Sequence, residues 1–310
     1  MRIAVVGVGG VGGYFGGRLA QSGADVTFVA RGGTLDALHK HGLRVDSLAG
    51  NFTVDPVQVA PGIEAVGEVD VVLVCVKSWQ VEGIAPELKS ITGPNTMVVP
   101  LLNCVEAVEQ LAAVLGSGHV LGGLCGLISY IVEPGHICHA GAEPFVTFGE
   151  LDNQSTLRTH NLEAVFARSI GVNAKVPRDI QVAMWSKFLL IASWSGVGSV
   201  TRSTVGVIRE LPETRQLLID AMQEIYQLGR TKGVVLPEDS VQKSLNFIDQ
   251  IPSGNTASMQ RDIMEGRRSE LESQTDSVCR MARQLGVETP VNDFIYRCLL
   301  PQESSQTVGS

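Results

Sequence analysis

The chain has 310 residues, of which 44% are hydrophobic, 18% charged and 5% aromatic. That length suggests two domains and enough buried surface to fold without disulfides or metal, and the composition excludes intrinsic disorder. A formal net charge of −8 excludes the basic surface on which a nucleic-acid binder depends. Thirty-four glycines exceed the average share, follow no collagen period and crowd the first stretch. The six cysteines form no C-x-x-C pair and mostly sit in apolar runs, so reduced thiols are expected rather than a disulfide framework or a zinc site. No signal peptide is read at the start. The uncharged run 188–200 is too short to span a bilayer, so a soluble cytoplasmic protein with no membrane partner is expected.

In chain order, residues 3–6 form a continuous apolar run, followed by glycines and a helical stretch at 14–21. Further strands are expected at 25–30, 70–76, 96–102 and 120–124. Apolar runs without alternation mark strands covered on both faces, hence a doubly wound parallel sheet. Residues 136–139 and 144–149 read as extended, a hairpin closing that sheet. Beyond residue 179 the pattern becomes helical: 179–200, a helix from 212 to about 229, then 240–248, one long helix over 256–285 and another over 291–300. Asn255 or Thr256 is expected to cap the long helix and Gly286 to end it. The fold class expected is α/β, an N-terminal Rossmann-type domain over 1–170 and an all-helical domain over 171–301, with a flexible tail over 302–310.

The segment Gly7-Val8-Gly9-Gly10-Val11-Gly12 is a G-x-G-x-x-G motif that follows a buried strand and opens a helix. Gly7 makes the tight turn, Gly9 lets the backbone approach a pyrophosphate, and Gly12 lets helix and strand pack closely. The helix N-terminus supplies free N–H groups and positive dipole. The second strand ends in Arg31-Gly32-Gly33, with no acidic residue to take a ribose 2′-hydroxyl. A guanidinium suits a 2′-phosphate, so NADP(H) is the expected cofactor. Lys77 and Asn103 follow the third and fourth strands, at the sheet edge where ligands bind. Each is a candidate for cofactor binding, and Asn103 for substrate as well.

With these residues in place the chain resembles the ketopantoate reductase (2-dehydropantoate 2-reductase) family. The resemblance spans nearly the whole chain and rests on the glycine motif, Arg31, Cys75-Val76-Lys77, Asn103, Trp185-Ser186-Lys187, Ser258-Met259, Asp262-Ile263 and Glu270. It implies a Rossmann domain, a helical C-terminal domain and a cleft between them where NADPH reduces ketopantoate to pantoate. It also implies that Lys187 is the general acid, Glu270 its active-site partner, and Asn255, Ser258 and Ser195 substrate-binding residues. The chemistry needs such groups, because hydride delivery to a keto carbon develops negative charge on oxygen. Unperturbed lysine, with a pKa of about 10.4, arrives protonated at neutral pH. Dimers through the helical domain are a further implication.

The chain departs from the family on the lysine helix. Asparagines four and eight residues after the lysine are usual, and here those positions hold Ile191 and Ser195. Cys104 replaces the glycine usual after Asn103. A site that loses hydrogen-bonding partners loses selectivity for a hydroxylated substrate, so a more apolar 2-keto acid is the alternative. A non-catalytic NADP-binding sensor is the alternative of another class. Ser258 and Glu270 stand twelve residues apart, about 120° around a straight helix. They meet on one ligand only if Ser258 is at the helix mouth or the helix bends, with Gly266 the candidate. His136-x-x-His139 lacks a third ligand, and no metal is expected.

Overall fold

The computed structural model describes residues 1–141 and 143–307. Its elements, in order, begin with β1 (Arg2–Val6), α1 (Gly10–Gln21), β2 (Asp25–Val29), α2 (Gly32–His41), β3 (Leu43–Ser47), β4 (Phe52–Val54) and β5 (Gln58–Ala60). Then come β6 (Val69–Val74), α3 (Val81–Leu88), β7 (Thr92–Pro100), α4 (Glu106–Leu115), β8 (Leu121–Gly126), β9 (Ser129–Glu133), β10 (His136–His139) and β11 (Phe145–Glu150). The rest is helical apart from β12 (Asn173–Lys175): α5 (Leu157–Phe166), α6 (Ile180–Thr201), α7 (Val205–Glu210), α8 (Pro212–Thr231), α9 (Ser240–Gln250), α10 (Ser258–Met264), α11 (Ser277–Leu285) and α12 (Pro290–Thr307). The chain divides into two compact units, residues 1–102 with 107–183, and residues 103–106 with 184–310.

In the first unit, five strands pair in parallel in the order β5-β2-β1-β6-β7. This is the Rossmann order, with its switch point between β1 and β6. Ile3–Val6 and Val71–Val74 are all buried, as strands covered on both faces must be. The expected strand near residue 120 exists as β8, but it pairs antiparallel with β11 in a separate three-stranded sheet, β12-β11-β8. Val120, just before β8, bridges to Val98 of the parallel sheet. The expected hairpin of 136–139 with 144–149 does not form. β10 lies between β3 and β9, and β11 between β8 and β12. The short strands β3, β4 and β5 are additions to the expected elements.

The second unit is helical. Residues 192–199 of α6 are all buried, which makes it a central helix. α8 turns Leu218, Ala221, Met222, Ile225 and Leu228 inward, the face its three- and four-residue spacing dictates. The expected helix over 256–285 is broken instead: α10 stops at Met264, and a π-helical turn over Glu272–Asp276 leads into α11. Gly266 takes a φ of 68° at the break, and the Arg267 N–H closes the end on the Asp262 carbonyl at 2.7 Å. Ala257, not Asn255 or Thr256, is the cap residue of α10, whereas Gly286 ends α11 in the left-handed conformation as expected. Where a tail was expected from residue 302, α12 continues to Thr307; residues 308–310 lie outside the described residues. Among the described residues no helix is long and apolar enough to cross a membrane.

Candidate active site

The glycine turn joins β1 to α1 at the carboxyl edge of the sheet. Gly7 has a φ of 100°, and a Cβ there would lie 2.8 Å from the Cys75 carbonyl oxygen. A Cβ on Gly12 would lie 2.0 Å from the Gly7 carbonyl oxygen and 3.0 Å from a Val5 methyl, so only glycine lets α1 pack this closely. Gly9 is the opposite case. It is the cap residue of α1, and a Cβ there would meet nothing within 4 Å. The helix N-terminus, with Gly10, Val11 and Gly12 offering N–H groups, therefore opens onto free space that a pyrophosphate can fill.

Arg31 caps α2 with its backbone, and the first turn of that helix contains no acidic residue. Its side chain is 68% exposed and makes one 3.4 Å contact to Glu87 of α3. Gly32 beside it is equally open. A guanidinium left this accessible fits a 2′-phosphate, and the open cradle at Gly9 fits the rest of a dinucleotide. Lys77 follows β6 and is exposed, its ammonium 5.6 Å from the centre of the Trp79 ring.

In the second unit, α6 carries Lys187 half-buried, and Lys187 Nζ donates to Asn103 Oδ1 at 2.8 Å. Asn103 was expected on cofactor or substrate; the structure adds its bond to the lysine. Segment 103–106 is fastened to the helical unit one turn further on, where Glu106 accepts from Arg280 Nη2 at 2.7 Å. Arg280 also pairs with Asp276. Although burial pulls the pKa of Arg280 down, Glu106 and Asp276 outweigh it and hold it above the ordinary arginine value. Glu270 is buried at 8% exposure, between the end of α10 and the π turn. Ser258 is the first residue of α10, so neither it nor Glu270 is held to the angle of one straight helix. Asn255 is half-buried just before α10. Ser195 is fully buried, its hydroxyl without a hydrogen-bond partner among the described residues, and Ile191 is half-buried one turn nearer Lys187. No group of three or more His, Cys, Asp or Glu among the described residues could hold a metal ion.

A parallel sheet with a glycine turn at its switch point, joined to a helical unit bearing a lysine–asparagine pair, defines a dinucleotide-binding protein of oxidoreductase type. A family model described as Ketopantoate reductase PanE/ApbA matches residues 3–153, and the model of that family's C-terminal part matches residues 179–303. The chain belongs to the ketopantoate reductase PanE/ApbA family, and it is an oxidoreductase using a nicotinamide cofactor. It is 30% identical to the uncharacterized oxidoreductase YkpB of Bacillus subtilis (strain 168), over 99% of this chain and all of that one. Identity to the 2-dehydropantoate 2-reductase of Nostoc sp. is 27%, over 96% of this chain and 94% of the other. The crystal structure of 2-dehydropantoate 2-reductase from Geobacter metallireducens superposes with a TM-score of 0.90 at 28% identity, covering 97% of this chain and 99% of that one.

Proposed function

We propose that the protein is an NADPH-dependent reductase that converts 2-dehydropantoate to pantoate with Lys187 as general acid. The observation that carries this reading is the 2.8 Å bond from Lys187 Nζ to Asn103 Oδ1, which fixes an ammonium on the central helix of a family member. The names of the Nostoc and Geobacter relatives support the substrate. Gly7, Val8, Gly9, Gly10, Val11 and Gly12 would hold the pyrophosphate, Arg31 the 2′-phosphate, and Lys77 and Asn103 the remainder of the cofactor. When bound, the reduced nicotinamide supplies the hydride. Lys187 gives its proton to the oxygen that gains charge, and Glu270 keeps the ammonium in place. Asn255, Ser258 and Ser195 orient the substrate through their polar groups.

Ile191 favours a second reading, a more apolar 2-keto acid, because a sec-butyl side chain stands where an amide would contact a hydroxyl. Both readings face one experiment: NADPH oxidation followed over a panel of 2-keto acids with the wild type and Lys187→Ala. The expected result is turnover of 2-dehydropantoate that falls about 10²- to 10⁴-fold in the variant. Preference for an apolar acid would replace the first reading by the second. Turnover of none would leave a non-catalytic NADP-binding sensor.

A further inference from the structure

Arg261 lies in α10, three residues after Ser258, yet its side chain turns back towards the start of the helix. Nη1 donates to the Thr256 carbonyl at 2.5 Å and to Thr256 Oγ1 at 3.3 Å. The guanidinium is thereby placed on the 255–258 segment that carries the proposed substrate contacts. It is half-buried and forms no ion pair among the described residues. Its neighbour Asp262 instead accepts from Arg267, at 3.0 Å from Nε and 2.8 Å from Nη2. Burial pulls the pKa of Arg261 below the ordinary arginine value; Asp262 opposes that pull and Arg267 adds to it. A cation withdrawn from water without a counter-ion is unsatisfied until an anion reaches it.

The edge of the guanidinium left over matters most. Of the five N–H donors, those on Nη1 are directed at Thr256, while Nε and Nη2 make no hydrogen bond among the described residues. That edge is the planar fork that receives a carboxylate through two parallel bonds. Every 2-oxo acid carries one carboxylate, and Ile191 contributes no donor to it. We infer that Arg261 is a substrate-binding residue whose Nε–Nη2 edge receives the carboxylate of the 2-oxo acid. The assignment rests on the reductase reading above.

The test compares the wild type, Arg261→Gln and Arg261→Lys in steady-state kinetics and in equilibrium binding in the presence of NADP⁺. The probes are 2-dehydropantoate and its neutral lactone, which lacks the carboxylate. Arg261→Gln is expected to weaken binding of the acid about tenfold or more and to raise its KM likewise. The KM for NADPH and the affinity for the lactone stay within about twofold, and Arg261→Lys recovers part of the loss because it keeps the charge without the fork. Unchanged affinity for the acid in a turning-over Arg261→Gln enzyme overturns the assignment alone. Equal loss for acid and lactone does so too, since that reports general damage. Should the glutamine variant fail to fold, Arg261→Lys with unaltered affinity and KM for the acid overturns the assignment in its place. A wild type that neither binds nor reduces any 2-keto acid refutes the reductase reading and the assignment together.

Discussion

On the proposed reading the choice of cofactor falls to one exposed side chain, Arg31. Its contact with Glu87 spans 3.4 Å between groups 68% and 43% exposed, a pairing too solvated to compete strongly for the guanidinium. A 2′-phosphate offers two negative charges and several acceptors to the same donors. Arg31→Ala should therefore raise the KM for NADPH about 10- to 100-fold, the worth of one or two charge-assisted bonds. NADH lacks the phosphate, so its KM should hardly move. Equal losses for both cofactors, measured in the same assay, would remove the basis for NADP. At this scale the sequence speaks clearly where a residue's job is local. Gly7 and Gly12 are legible because the turn and the helix–strand contact involve a few neighbouring residues. The bond between Asn103 and Lys187 joins residues 84 apart, and no spacing rule announces it. Arg261 carries no signal of its own in the sequence, because its return to Thr256 depends on where α10 begins.

The break between α10 and α11 shows how one backbone conformation places two side chains. Apolar residues recur on both sides of the break although 265–270 contain none, and hydrophobic spacing does not register a reversal of φ. Gly266 marks the site without revealing that the helix ends there. Its φ of 68° is left-handed, and a Cβ would meet nothing within 4 Å, so an alanine there is strained by its backbone alone. Gly266→Ala should lower stability by about 1–2 kcal/mol, measured by urea unfolding. It should also reduce activity by disturbing the segment between Ser258 and Glu270. No loss of stability would mean that the turn relaxes into another conformation. The strands tell a similar story. β1 and β6 are legible because they are buried on both faces, whereas β3 is only partly buried, β4 and β5 have three residues each, and β10 and β11 pair with strands distant in sequence. Strand existence lies in local pattern; partnership depends on the whole topology.

For the whole molecule, the formal charge of −8 makes the paired carboxylates the groups through which acid acts on stability. Each unit contains such a pair: Glu150 with Arg158 in the first, Asp249 with Arg215 in the second. Burial pushes the Glu150 carboxyl up, but Arg158 and Thr156 outweigh it and hold it below the ordinary value of 4.5. Its Oε1 accepts from Arg158 Nε and from Thr156 Oγ1, both at 2.7 Å. Arg215 holds Asp249 below its ordinary 3.8 against a smaller push from burial. A carboxyl lowered on folding contributes stability that is complete above its unfolded pKa and lost as pH falls through the folded one. The wild type should accordingly keep a plateau of stability at neutral pH and lose it progressively below about pH 4.5. Glu150→Gln removes one term of that dependence. At pH 7 the variant should be about 2 kcal/mol less stable, because Arg158 keeps its partly buried place without its charged partner. As pH falls through the lowered pKa of the folded state the two proteins should converge, since the wild-type carboxyl becomes protonated as well. Urea unfolding of both between about pH 3 and pH 7 measures the gap. A difference constant across that range would show that Glu150 acts by packing, and that its pairing with Arg158 adds nothing to the acid response.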